Sequence, residues 1–201
     1  MDELLPGLYH WTAVHPVIRQ PVSSYYVEPA AALIDPMAPA PVLDALRARS
    51  QPPQRILLTN RHHHRGSESF VGAFGCEVLC HEEGLHEFEG GPAVRGFSFG
   101  DEVAPGIVAQ ELDAICPEET ALLIGHAGGV LSLGDALINW PDRGPHFVRD
   151  AYLGDDPEAV KDGIRAAVSR LVELEFESLL FAHGPPLIGV GNQPLRDFLE
   201  R

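Results

Sequence analysis

Apolar residues recur along the chain with two different periods, and these periods separate predicted strands from predicted helices. Short runs of aliphatic, β-branched and aromatic residues, each ended by Pro, Gly or Asp, are typical of buried strands. They predict strands at 8–11, 24–27, 31–34, 55–59, 76–80, 107–111, 120–124, 130–133 and 178–182. Apolar residues at helical spacing predict helices at 40–48, 67–74, 81–88, 157–172 and 195–199.

Local signals refine this pattern at a few boundaries. Ser67 is the predicted N-cap of its helix, and Asp155 or Asp156 the N-cap of the long helix that Pro157 begins. No linker, repeat or low-complexity tract interrupts the chain, which predicts a single domain over 1–201. Strands come first and are then mixed with helices, which predicts an α/β or α+β sandwich.

Charge and composition exclude several classes of function. The chain has 201 residues with 14 Lys and Arg against 29 Asp and Glu, a formal net charge of −15. Such a charge disfavours nucleic acid and anionic membranes as partners. No apolar run is long enough for a membrane span, and the acidic N-terminus lacks the features of a signal peptide. Three Cys cannot all pair within one chain, so we expect a reducing, cytoplasmic location.

Histidines provide the candidate chemistry, since the chain has ten and three are consecutive. Three predicted buried strands are each followed at once by side chains that can bind a metal ion. The strand at 55–59 runs into the segment 60–65, the strand at 130–133 into Gly134-Asp135, and the strand at 178–182 into His183. Imidazoles with one carboxylate suit zinc, manganese or iron in the +2 state.

In the order and spacing of its landmarks, the chain resembles the metallo-β-lactamase fold superfamily. The landmarks are Tyr25-Tyr26-Val27, Leu33-Ile34-Asp35-Pro36, the segment 56–65, Gly134-Asp135-Ala136 and Ala182-His183-Gly184-Pro185-Pro186. The resemblance is to a small, single-domain glyoxylase- or hydrolase-like member with a degenerate metal motif. It implies a four-layer αββα sandwich with a metal site at one edge, between the two sheets.

The metal motif of that superfamily, His-x-His-x-Asp-His, aligns here with Asn60-Arg61-His62-His63-His64-Arg65. His64 then stands where the motif has Asp, and Ile115 aligns with the next histidine ligand of the superfamily. The resemblance implies one divalent ion, zinc first with iron or manganese as alternatives. Its implied ligands are His62, His64, Asp135 and His183. His63 falls at a variable position, so we expect it to face solvent or substrate.

The resemblance implies a metal-dependent hydrolase that attacks a small ester, thioester or lactone with a metal-activated water. Asp135 or a nearby carboxylate would take the proton, and Arg65 would bind an anionic end of a small-molecule substrate. The alternative is a catalytically inactive member, a metal-free binding or assembly module in which Arg65 pairs with Asp135 or Glu119. An oxidative non-haem iron enzyme is a third reading, based on two His and one carboxylate. Homodimers are common for the fold, although no segment of the sequence marks an interface.

Overall fold

The structure is a computed structural model that describes residues 1–201, and strands form most of its regular elements. The strands are β1 (Asp2–Leu5), β2 (Leu8–Val14), β3 (Pro21–Val27), β4 (Ala32–Ile34), β5 (Arg55–Leu57), β6 (Glu77–His81), β7 (Val94–Phe97), β8 (Glu102–Ala104), β9 (Ile107–Glu111), β10 (Thr120–Ile124), β11 (Val130–Leu133), β12 (Leu137–Trp140), β13 (Gly144–Phe147) and β14 (Ser178–Phe181). The helices are α1 (Ala40–Arg47), α2 (Ser67–Phe74), α3 (Pro157–Leu171) and α4 (Gln193–Leu199).

The strands form two main sheets and one separate hairpin. The first sheet has the order β1-β2-β3-β4-β5-β6-β7, antiparallel up to β4 and parallel from β4 onward. The second has the order β14-β11-β10-β9-β8, in which β11 and β14 are parallel and the other pairs antiparallel. Strands β12 and β13 pair only with each other. Parallel neighbours place their carboxyl ends at one edge, which brings the loops that follow them together.

Side chains of alternating direction build a core on each face of both sheets. Ile34 and Leu57 point between the sheets, where they pack with Leu122 and Leu180 of the second sheet. Helices α1 and α2 cover the opposite face of the first sheet, where they bury Leu46 and Phe70. Helices α3 and α4 cover the opposite face of the second sheet, where they bury Ile164 and Phe198. The layers therefore follow the order αββα, which confirms the sandwich that the sequence predicted.

At one edge the two sheets are joined by direct hydrogen bonds. The Ser23 amide donates to the Ala182 carbonyl over 2.9 Å, and the Thr120 amide donates to the Thr59 carbonyl over 2.8 Å. The buried Tyr25 hydroxyl donates to the Phe181 carbonyl over 2.8 Å. Because each bond joins one sheet to the other, the loops that follow β4, β5, β11 and β14 meet at this edge.

The central elements were predicted well from the sequence, whereas several peripheral strands were missed. Strands β9, β10 and β11 have the predicted bounds, and α2 spans the predicted 67–74. Strands β1, β7 and β8 were not predicted, since they are short and carry exposed polar residues. The stretch after Asp135, where no strand was predicted, forms the hairpin β12–β13.

Helix termini show which local signals determine the boundaries. Asp156 is the N-cap of α3 and accepts a hydrogen bond from the Ala159 amide over 3.1 Å, as predicted. The N-cap of α2 is Gly66 rather than Ser67, whose side chain is buried in the first turn and leaves the helix without a side-chain cap. None of the helices combines the length and the apolar character that a bilayer crossing requires.

Gly184, which follows the predicted site residue His183, should be essential to this edge. Its φ is +95°, and a Cβ there would overlap the Asn139 carbonyl oxygen. The Asn139 amide in turn donates to the His183 carbonyl over 3.0 Å. This bond holds the segment around Asn139 against the segment around Gly184, so the two cannot move apart freely. We expect Gly184→Ala to lower the free energy of unfolding by about 3 kcal/mol or more, from backbone strain plus steric overlap. Urea unfolding measures this loss.

Gly189→Ala is the matched control, because Gly189 also has a positive φ, +69°, but open space around its Cα. In that variant the free energy of unfolding should fall by only about 1 kcal/mol, because alanine is less free than glycine to adopt a positive φ. Equal losses in the two variants would show that the contact with Asn139 is unimportant.

Candidate functional site

Four side chains from the ends of four strands meet where the sheets join. Asp35 directly follows β4, Asp135 lies two residues beyond β11, and His183 two residues beyond β14. His63 lies in a short 3-10 helix, Arg61–His64, a few residues after β5. Asn60 is the N-cap of this 3-10 helix, with its side chain accepting the His62 amide over 3.0 Å.

Three of these side chains form a group with the composition of a metal-ligand set. His63 Nε2 lies 3.2 Å from Asp135 Oδ2, and His183 Nε2 lies 3.2 Å from Asp135 Oδ1. One ligand atom from each of the three residues lies within 4.8 Å of the other two. His63 is buried, whereas His183 and Asp135 are partly exposed, so the group is open to solvent on one side.

Asp35 orients His63 from behind. It is buried and accepts hydrogen bonds from the Thr59 amide over 2.9 Å and from Thr59 Oγ1 over 2.6 Å. His63 Nδ1 lies 2.9 Å from Asp35 Oδ2, so the ring nitrogen donates its hydrogen to this carboxylate. Nε2 is thereby left as the nitrogen that faces Asp135. The sequence did not predict this contact between Asp35 and His63.

The carboxylates and the histidines of the group stabilise each other's charged forms. Although burial and the nearby Arg65 oppose protonation, Asp135 and Asp35 raise the pKa of His63 to about 9. Loss of hydration would raise the pKa of Asp135, but His63 and His183 hold it well below its ordinary range. Asp135 is therefore a carboxylate at neutral pH. Without an ion, protonated His63 lies between two carboxylates; a metal ion at Nε2 would replace that proton.

A second buried carboxyl lies behind Asp135. Burial, followed by the charge of Asp135, raises the pKa of Glu119 to about 8. Glu119 accepts the backbone amides of Asp135 and Ala136, and the Asn60 amide group, 3.0 Å from Glu119 Oε2. The same Asn60 group lies 3.4 Å from Asp135 Oδ2. Asn60 therefore links the 3-10 helix to both carboxyls.

The structure assembles some of the sequence-predicted residues and leaves others outside. Asp135 and His183 come together as predicted, but His62 is exposed and the His64 ring packs against Phe88, 5.6 Å between ring centroids. Neither of these two histidines belongs to the group of three. His63 takes this place instead, so the expectation that it faces solvent or substrate was wrong.

The local backbone explains this difference. Asn60 is extended and caps the short turn, and His63 departs from helical backbone angles within it. With this path of the chain His63 is buried and His62 is exposed. His62 and His64 were expected as ligands from the spacing of the superfamily motif. That spacing does not match the path of the backbone in this chain, where His63 joins the group. Two features of the sequence point to His63. Asn60 can cap a short helical turn, and Asp35 follows β4, the strand before the one that leads to the histidines.

Neither Arg65 nor Ile115 belongs to the group of three. Arg65 Nη1 donates to the backbone carbonyls of Ser23 and Asp35, 3.0 Å in each case. The pairing of Arg65 with Asp135 or Glu119, which the inactive-member alternative predicted, is therefore not what the structure has. Ile115 is half-buried and packs in the cluster of the second sheet and α3, so it offers nothing to the site.

Comparison with known proteins identifies the architecture. No protein-family sequence model and no curated protein sequence matches the chain. Among solved structures, a metallo-β-lactamase family protein from Thermus thermophilus is 21% identical with a TM-score of 0.72, over 98% of this chain and 80% of that one.

Two further structures agree with it. A protein solved in a di-iron-bound form is 23% identical with a TM-score of 0.67, over 90% of this chain and 96% of its own. A metallo-β-lactamase from Pontibacter korlensis is 15% identical with a TM-score of 0.70, over 100% of this chain and 98% of its own. At identities this low the likeness concerns the fold alone. The chain has the metallo-β-lactamase fold.

Proposed function

We propose that this chain is a metal-dependent hydrolase that holds a single divalent ion with His63, Asp135 and His183. The observation that carries the proposal is the convergence of three ligand atoms within 4.8 Å at the joined edge of the sheets. Two imidazole nitrogens and one carboxylate oxygen form a chemically sound set for zinc, iron or manganese in the +2 state. A similar structure was solved in a di-iron-bound form, which supports metal binding by a protein of this fold.

An unsatisfied oxygen supports the same assignment. Asp135 Oδ1 is buried and accepts no aligned hydrogen bond, even though His183 Nε2 lies 3.2 Å away. A buried carboxylate oxygen without a donor is costly. A cation held by Asp135 and His183 would remove this cost, so the residues fit a metal ion.

Each residue then has a defined task. When bound, the ion would supply a Lewis acid that lowers the pKa of a bound water and polarises a carbonyl oxygen. Asp35 holds the His63 ring so that Nε2 faces the site, the role of a carboxylate behind a ligating histidine. Asp135 is ionised, so its carboxylate would serve both as a ligand and as the acceptor of the proton from the attacking water.

Arg65 is proposed to bind an anionic end of the substrate. Two backbone carbonyls hold Nη1, which fixes the guanidinium at the end of the 3-10 helix while its other nitrogens keep their hydrogens available. Burial first, and then the charge of Arg65, lowers the pKa of His15, so the field of this guanidinium extends beyond its own contacts. A small ester, thioester or lactone, the substrate class proposed here, rests on analogy with the fold.

Metal content tests the ligand set directly. Protein purified without chelator should contain close to one ion per chain. His63→Gln and His183→Ala should each weaken zinc affinity by more than about 100-fold, because losing a ligand costs more than losing a ligand's outer partner. Competition with a chromophoric chelator measures the affinity, and circular dichroism verifies folding.

His62→Gln is the matched control, since His62 is adjacent in sequence but exposed. Its zinc affinity should equal that of the unaltered protein. A loss there as large as in His63→Gln would instead support the ligand set implied by the sequence motif.

Hydrolysis tests the reaction. Against a panel of short esters, thioesters and lactones, the protein should show activity that a chelator removes and that zinc or manganese restores. His183→Ala should be inactive while remaining folded. Turnover that survives both the chelator and this substitution would rule out metal-dependent catalysis by this chain.

Asp35→Asn tests the orientation of His63. The amide offers one acceptor oxygen where the carboxylate offers two, so Thr59 and the His63 ring compete for it and the ring loses its fixed tautomer. We expect zinc affinity to fall by about 10–100-fold, the usual effect of removing a partner behind a metal ligand. Asp44→Asn, on the exposed surface of α1, should leave the affinity unchanged; unaltered affinity in Asp35→Asn would contradict the assignment.

A further inference from the structure

Glu119 is a buried carboxyl that none of the roles above uses. It lies directly before β10, is 0% exposed, and extends toward the loop that carries Asp135. Its neighbour Glu118 is also 0% exposed but pairs with Arg61 instead. The two adjacent glutamates therefore serve different parts of the structure, although they are equally buried.

The two oxygens of Glu119 act as hydrogen-bond acceptors for the loop that holds Asp135. Oε1 accepts the Asp135 amide and, over 3.1 Å, the Ala136 amide. Oε2 accepts the Asn60 side-chain amide over 3.0 Å and lies 3.7 Å from the Cys116 thiol. Two consecutive backbone amides on one oxygen determine the direction in which the Asp135 side chain leaves the backbone.

Gly134 provides the room that this contact needs. A Cβ at Gly134 would overlap Glu119 Oε1 and lie 3.0 Å from Thr59 Oγ1. The side chain of Glu119 therefore passes through the space that any other residue at position 134 would fill. The Gly134-Asp135 pair and Glu119 form one unit, although 15 residues or more of chain separate them in sequence.

We propose that Glu119 is a positioning residue: its Oε1, as a backbone acceptor, sets the position of Asp135 between His63 and His183. This inference rests on the proposed function, because Asp135 is the ligand that it positions. The position of the acceptor oxygen matters for this role, and the negative charge of the side chain does not. Glutamine keeps an oxygen for the two backbone amides and places its NH2 group where Oε2 accepts from Asn60. Aspartate keeps a carboxyl group but withdraws its oxygens by about 1.5 Å, the length of one carbon–carbon bond.

The test compares Glu119→Gln with Glu119→Asp in the full chain. Zinc affinity, from chelator-buffered titration with Zn²⁺, should fall about 10–100-fold in Glu119→Asp. It should fall clearly less in Glu119→Gln, which keeps an acceptor for the two backbone amides and loses only the contact with Asn60. In metal-free protein, the ring nitrogen chemical shifts of His63 and His183 should move more in Glu119→Asp than in Glu119→Gln.

Glu118→Gln and Glu118→Asp are the matched controls. They remove or withdraw an equally buried carboxyl that contacts Arg61 and not Asp135. Both should lower the free energy of unfolding while leaving the zinc affinity and the two histidine signals unchanged. If the Glu119 variants acted only through a general loss of packing, the Glu118 variants would change the zinc affinity and the histidine signals to the same extent.

The outcomes separate this inference from the proposed function. If the unaltered protein binds no zinc but the histidine signals respond as expected, the proposed function fails and the positioning role stands. The positioning role is overturned if Glu119→Asp has the zinc affinity and histidine signals of the unaltered protein. It is also overturned if Glu119→Gln loses as much zinc affinity as Glu119→Asp. If Glu119→Asp does not fold, Gly134→Ala takes its place, because the added methyl group displaces the same oxygen.

Discussion

The candidate site depends on the hydrogen bonds that join the two sheets at one edge. The Ser23–Ala182 and Thr59–Thr120 backbone bonds bring the carboxyl ends of β4 and β5 against those of β11 and β14. Backbone amides buried in this seam need partners, and each sheet supplies them to the other. Asp35 and His63 arrive from the first sheet, Asp135 and His183 from the second. Neither sheet holds a complete ligand set alone.

From this seam, a chain of polar contacts crosses the site. Thr59 donates to Asp35, Asp35 accepts from His63, and His63 faces Asp135, which lies against His183. Thr59, Asp35 and His63 are buried between apolar cores, where unpaired polar groups would be costly. Because every member restricts the next, the geometry is set before any ligand binds. Such preorganisation is what a metal centre requires of its protein.

Local pattern predicted most of the regular structure but not all of its edges. Strands such as β10 and β11 are buried on both faces and consist of nearly uninterrupted apolar residues, so their bounds were visible. Strand β1 and the hairpin β12–β13 have mixed polarity and depend on pairing with a neighbour, which a window of sequence does not reveal. Similarly, Ser67 has the composition of an N-cap, yet its side chain is buried and Gly66 occupies the cap.

The sequence by itself determined the sandwich, the edge at which polar residues gather, and two members of the site, Asp135 and His183. Strand ends and hydrophobic periodicity are local properties, and they suffice for this. Tertiary structure decided which of three consecutive histidines turns inward, because that depends on a 3-10 turn capped by Asn60 and on Asp35 from another strand. It also brought Glu119 behind Asp135, because the register of the antiparallel pair β10–β11 sets the two residues opposite each other and burial turns the Glu119 side chain toward the loop of Asp135.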